Sequence, residues 1–198
     1  HRAHASTSII AALFGPNKMF GKVMNNEIQH LDKALNAPKE GYTAIIGGAK
    51  VSSKIIVIEQ LLSKVDKLVI GGAMAYTFIK AQGGKVGDSM VEEEYIDTAR
   101  KVMDAAAKND TEIILPVDSV NGDAFKADAN TKVTPADAVD DGWMGMDIGP
   151  ETLKMLGDII SNSKTMLWNG PVGVFEMEKF SHGTFGIAQK IADATDKG

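Results

Sequence analysis

The chain has 198 residues, of which 44% are apolar, with no cysteine and a net charge of -5. That is enough apolar mass for one sizeable core, and the acidic balance argues against duplex nucleic acid or an anionic membrane as the main partner. Lack of cysteine excludes disulfides, thiolate nucleophiles and Cys-ligated zinc, and no apolar run approaches the roughly 18 residues of a membrane span.

The chain opens on His1, not Met, and its first residues lack the long apolar stretch of a signal peptide, so the start reads as a fragment boundary. Four short β-branched or apolar runs read as buried strands, at 42–46, 67–70, 112–115 and 165–168. Between the first two, Ile55, Ile58, Leu61 and Leu62 share one face of a helix expected over 53–64. Helices are expected at 73–82 and 91–108. The stretch 118–141, rich in Asp, Ala, Asn and Thr, reads as a surface loop holding at most a short strand pair. Pro150 suits the first turn of a helix, because its missing N–H has no partner to lose there, and that helix should run to 161. A last helix is expected at 181–195. Strands alternating with helices predict an α/β fold: an open, mostly parallel sheet covered on both faces.

One pattern repeats. Ile45-Ile46-Gly47-Gly48-Ala49 recurs as Val69-Ile70-Gly71-Gly72-Ala73, each Gly-Gly closing a strand and preceding a helix. Ligands bind at that edge of open α/β sheets, and glycine lets them approach the backbone. Tight βα turns would need the same residues, but two such pairs in adjacent units favour a site. Lys50 and Lys54 follow the first pair. On a helix starting near Ser52 they would repel each other and oppose the helix dipole, and a polyphosphate would reverse both effects. Beyond the fourth strand, Trp168-Asn169-Gly170-Pro171-Val172-Gly173-Val174-Phe175-Glu176 would build a rigid wall on the same edge. Glu176 there could accept hydrogen bonds from ribose hydroxyls, or be a surface residue on a structural turn.

Familiar nucleotide signatures are absent: no G-x-G-x-x-G, which disfavours a dinucleotide oxidoreductase, and no P-loop. The histidines, His1, His4, His30 and His182, are too scattered to suggest a metal site.

Taken together these segments resemble the phosphoglycerate kinase family. The resemblance rests on His1-Arg2-Ala3-His4, Gly47 through Ile55, Gly71-Gly72-Ala73-Met74, Leu115-Pro116-Val117-Asp118, Gly142 through Glu151, and Trp168 through Glu176, in family order. It implies a Rossmann-like three-layer domain, the nucleotide-binding half of a cytoplasmic, commonly monomeric hinge enzyme. That enzyme transfers a phosphoryl group between 1,3-bisphosphoglycerate and ADP, with Mg2+, giving ATP and 3-phosphoglycerate. By that resemblance Lys50 would stabilise the transferring phosphoryl group and Lys54 would hold the nucleotide phosphates. Gly47, Gly48, Gly71, Gly72 and Gly145, with Met146, Pro171 and Val174, would shape the adenine slot. Ala49 and Gly170 would also contact the nucleotide, Asn169 would lie near the phosphates, and Glu176 would bind the ribose. His1 and Arg2 would contact the phosphoglycerate from a domain-junction segment, 1–20, preceding the nucleotide domain, 21–198. The family's metal-holding Gly-Gly-Gly-Asp turn and final strands lie beyond Gly198. The expectation is therefore a partial site, no turnover by this chain alone, and an unpaired apolar edge on the fourth strand. A stand-alone nucleotide-binding module is the alternative.

Overall fold

A computed structural model describes residues 4–197. By compactness the chain divides into residues 1–37 and 38–198; the sequence reading draws its line at 20/21. The difference is one helix. The first unit holds a π-helical turn, Ala5–Ile9, then α1 (Ile10–Leu13) and α2 (Lys22–Leu35). Helix α2 is absent from the sequence reading, although Met24, Ile28, Leu31 and Leu35 recur at helical spacing.

The second unit is built on a four-stranded parallel sheet of β1 (Tyr42–Ile46), β2 (Lys67–Ile70), β4 (Glu112–Ile114) and β9 (Thr165–Asn169), in the order β4-β2-β1-β9. All four fall where the sequence places strands. The central strand β1 reads YTAII and is buried along its whole length, as a parallel strand covered on both faces must be. The connecting helices are α3 (Ile55–Leu61), α4 (Met74–Ala81) and α5 (Ile96–Lys108), the last preceded by a 3-10 turn at Glu93–Tyr95. The crossovers from β1 to β2 and from β2 to β4 step the same way across the sheet, and right-handed connections then put their helices on one face. The return to β9 goes through α6 (Pro150–Ser161), and α7 (His182–Lys197) follows after a 3-10 turn at Glu178–Phe180. Ile45, Val69 and Ile114 of the sheet pack with Leu156, Ile160 and Ile187 of these two helices in one core cluster. The alternate residues Ala44, Ile46, Leu68 and Ile70 point the other way and are equally inaccessible, which gives the expected three layers.

The stretch 118–141 holds the strand pair allowed for it, and that pair belongs to a larger sheet. Strands β5 (Asp118–Gly122), β6 (Thr131–Pro135) and β8 (Met144–Ile148) form an antiparallel sheet in the order β6-β5-β8, and β3 (Lys85–Val86) pairs β7 (Ala138–Val139). The sequence DSVNG has poor strand propensity. It forms the middle strand because its polar side chains are satisfied there: Ser119 Oγ donates to Asn121 Oδ1 (2.7 Å), and Asn121 Nδ2 donates to Thr134 Oγ1 (2.9 Å). Strand β9 is the outer strand of its sheet among the described residues, and its apolar residues are half-buried. No helix among the described residues is long and apolar enough to cross a membrane.

Candidate functional site

Parallel register brings three turns to one place. Ile46 of β1 pairs with Ile70 of β2 and with Asn169 of β9, so Gly47-Gly48, Gly71-Gly72 and Gly170-Pro171 all leave the sheet at the same level. The turns are locked by backbone bonds. Gly47 N–H donates to Asn169 O (2.9 Å), Gly72 N–H to Val172 O (3.2 Å), and Met74 N–H to Gly48 O (3.1 Å). Their glycines are demanded by this packing. A Cβ on Gly47 would stand 2.0 Å from the Pro171 carbonyl oxygen, and one on Gly71 would stand 2.6 Å from Val172 Cγ1. Gly170 (φ +88°) would meet Gly47 O at 2.3 Å and is also in the left-handed region.

Above these turns lies a cleft of about 220 Å³. Of the residues expected there, Gly48, Ala49, Gly72, Gly145, Met146, Pro171, Val174 and Glu176 line it. Gly47 and Gly71 are buried beneath it and act as spacers. Gly170, Asn169, Lys50 and Lys54 are not in its wall. His1 and Arg2 lie outside the described residues.

The lysines sit differently from the sequence expectation. Helix α3 starts at Ile55, so Lys54 is its N-cap residue, still at the positive end of the dipole, while Lys50 lies outside the helix and the two are not neighbours on one helical face. The cause is a turn at 51–54, where the amides of Lys54 and Ile55 both donate to Val51 O (2.8 and 2.9 Å) around a fully buried Val51 side chain. Lys54 runs alongside the second glycine, its Cε 3.8 Å from where a Cβ on Gly48 would be, and its Nζ donates to Asn169 Oδ1. Lys50 is exposed and forms no ion pair among the described residues.

The sequence reading misses several wall residues. Tyr76 lies under Gly145, where a Cβ would meet its hydroxyl at 1.7 Å, so Gly145 is glycine to admit a phenol ring. Burial pushes that phenol up to about 12. Met90 and Phe125 line the cleft as exposed apolar side chains. Asp147 is the buried acid of the wall. Its Oδ2 accepts the Gly183 N–H at the start of α7 (2.7 Å) and its Oδ1 accepts the Ile148 N–H (2.9 Å). Burial raises its carboxyl to about 6, against the opposing pull of those amides and of His182. One signal for it was available: an acid standing between Met146 and Ile148. For Tyr76 and Met90 a single sequence holds none.

The result is a slot with largely apolar walls and exposed turn backbone, a carboxylate at Glu176 and two lysines beside its glycine turns. Such a slot can clasp a planar ring and hold an anionic extension of it. The sequence profile of the family described as phosphoglycerate kinase matches residues 1–198. The cytosolic phosphoglycerate kinase of Nicotiana tabacum is 50% identical over 198 residues, all of this chain and 49% of that protein. The phosphoglycerate kinase of Aquifex aeolicus is 47% identical over 195 residues, 98% of this chain and 49% of its own length. Among solved structures, the phosphoglycerate kinase of Coxiella burnetii superposes with a TM-score of 0.84 at 40% identity, over 88% of this chain and 45% of that one. That of Pyrococcus horikoshii gives 0.75 at 26% identity, over 88% and 44%. The chain thus spans about half the length of the curated relatives it matches. A profile match over the whole of this chain, relatives about half identical to it and a shared fold lead to one conclusion: the chain belongs to the phosphoglycerate kinase family.

Proposed function

We propose that the cleft binds ADP and ATP, and that the chain is the nucleotide-binding half of a cytoplasmic kinase exchanging a phosphoryl group between 1,3-bisphosphoglycerate and ADP. The observation that carries the reading is the alignment of the three glycine turns, which puts an apolar slot and two lysines at one sheet edge. Adenine lies between the Gly48–Gly72 turns and the wall of Gly145, Met146 and Val174. Glu176, exposed at the rim, accepts from the ribose hydroxyls. Lys54, lying along Gly48, neutralises phosphate charge, and Lys50 stabilises the group in transfer, since this chemistry depends on positioning and charge more than on covalent help. The cytosolic relatives carry the compartment assignment, although chloroplastic relatives match as well.

The magnesium that the family implies would be held largely by nucleotide phosphates and water, with one or two carboxylates from the protein. Among the described residues no three His, Cys, Asp or Glu side chains are grouped to hold an ion, and the buried carboxylate of Asp147 is occupied by two amides. We further propose that phosphoglycerate turnover requires the half of its relatives' length that this chain does not span.

Calorimetric titration of MgADP into the folded chain tests the reading. Saturable binding is expected, weakened about tenfold or more by Lys54→Ala, because a lost charge-assisted phosphate contact amounts to about 1.5–3 kcal/mol. Binding that ignores Lys54→Ala, or no binding by a chain that circular dichroism shows to be folded, would overturn it.

A further inference from the structure

The lysine-bearing turn is gripped by a carboxylate that the nucleotide reading leaves unused. Glu92 accepts the Ser52 N–H at Oε2 (3.0 Å) and the Ser52 hydroxyl at Oε1 (2.6 Å). Both bonds are charge-assisted and together they fix the direction of the turn between Lys50 and Lys54. Glu92 is itself held, its N–H donating to Oγ1 of the buried Thr77 in α4 (3.1 Å). Three residues upstream, the buried Ser89 hydroxyl accepts the amide of Gly145 on the opposite wall (2.9 Å). Met90, between them, lines the cleft. The segment 89–92 therefore runs as a strap from the apolar wall to the lysine turn, tied at both ends.

Charge alone gives no reason for an acid there. A carboxylate next to a turn that receives an anion weakens anion binding through space. Its benefit must be geometric: without the grip, Ser52 and the two lysines would have to be ordered when the ligand arrives, and that ordering subtracts from affinity.

We infer that Glu92 is a positioning residue, holding Ser52 so that Lys50 and Lys54 are preset for the phosphates of a nucleotide whose base lies against the other end of the strap. The inference rests on the nucleotide reading above. Its signature is selective: Glu92 matters to the phosphates and not to the base.

The test compares MgADP with adenosine, which lacks phosphates, on the 198-residue chain. Glu92→Ala should weaken MgADP about tenfold and leave adenosine within about twofold. Glu92→Gln should recover most of the loss, since its amide can accept from the Ser52 N–H and donate to the hydroxyl. A carboxylate acting through charge would instead make Glu92→Ala and Glu92→Gln bind MgADP alike and more tightly. Should Glu92→Ala fail to fold, Ser52→Ala removes the hydroxyl bond from the other side, and a selective loss of about threefold is expected. The inference is overturned if these variants leave MgADP unchanged, or weaken MgADP and adenosine equally, while Lys54→Ala remains selective for MgADP. If the unaltered chain binds neither ligand, the nucleotide reading itself fails and takes this inference with it.

Discussion

Asp147 makes the stability of this chain depend on pH in a direction opposite to that of most paired carboxylates. Its folded value, about 6, is raised from an ordinary 3.8 by burial. Between those values the folded chain binds a proton that the unfolded chain does not, so stability from this group falls as pH rises through the window and levels off above it. The full difference is about 3 kcal/mol at 1.36 kcal/mol per unit, of which about 2 kcal/mol develops between about pH 4.5 and 7.5. Asp147→Asn removes the titration. The asparagine carbonyl can still accept from Gly183, but its amide then confronts the Ile148 N–H, a lost bond of about 1–3 kcal/mol that does not vary with pH. The variant should therefore be less stable than the parent near pH 4.5 and gain on it by about 2 kcal/mol by pH 7.5. Urea unfolding followed by circular dichroism at several pH values measures the difference. A difference that stays flat with pH, or moves the other way, would refute the argument and mean that the carboxylate is ionised throughout.

Two further substitutions probe packing, one at the far end of β1 and one at the site. The Tyr42 hydroxyl is the one buried side-chain polar atom without a hydrogen-bond partner among the described residues, and Tyr42→Phe should stabilise the chain by about 1 kcal/mol, raising Tm by roughly 2–4 °C; a lowered Tm would mean a buried water satisfies the group. Gly47→Ala should destabilise by about 1–3 kcal/mol and weaken MgADP binding as well, since the atom 2.0 Å from the new Cβ is a backbone carbonyl that can only move with its whole turn; a variant as stable and as tight-binding as the parent would show that the turns are loosely packed.

The parallel sheet is legible in the sequence because its strands are continuous apolar runs with glycines at their ends, and Tyr42–Ile46 and Lys67–Ile70 fall where those runs lie. Helix Pro150–Ser161 is equally plain, announced by its proline. The antiparallel sheet is not. Asp118 would disfavour a strand, yet its carboxylate accepts the amides of Glu151 and Thr152 and the Thr152 hydroxyl (3.0, 2.8 and 2.6 Å), capping a helix more than thirty residues away. Asp147 does the same for α7 from strand Met144–Ile148. Both acids are strand residues in order to serve helix ends, and local propensity has no access to that partnership. The site divides the same way: its glycine turns are local patterns, whereas Tyr76, Met90 and Asp147 reach the cleft only through tertiary packing.

The two readings of each Gly-Gly pair, tight turn or ligand edge, are compatible in this geometry. The first glycine of each pair packs against the segment after β9: Gly47 against the Pro171 carbonyl, Gly71 against Val172. The second, Gly48 or Gly72, lines the cleft. The first glycine lets the third turn come close enough to form the opposite wall; the second is what that wall then faces. Neither assignment can be made from the pair itself, because both depend on a turn that the sequence supplies only after the whole antiparallel sheet has been built. Mutual packing accounts for the glycines at the contact between the turns. A Cβ on Gly170 would strike Gly47, and one on Gly47 would strike Pro171, so neither turn tolerates a side chain at its contact with the other.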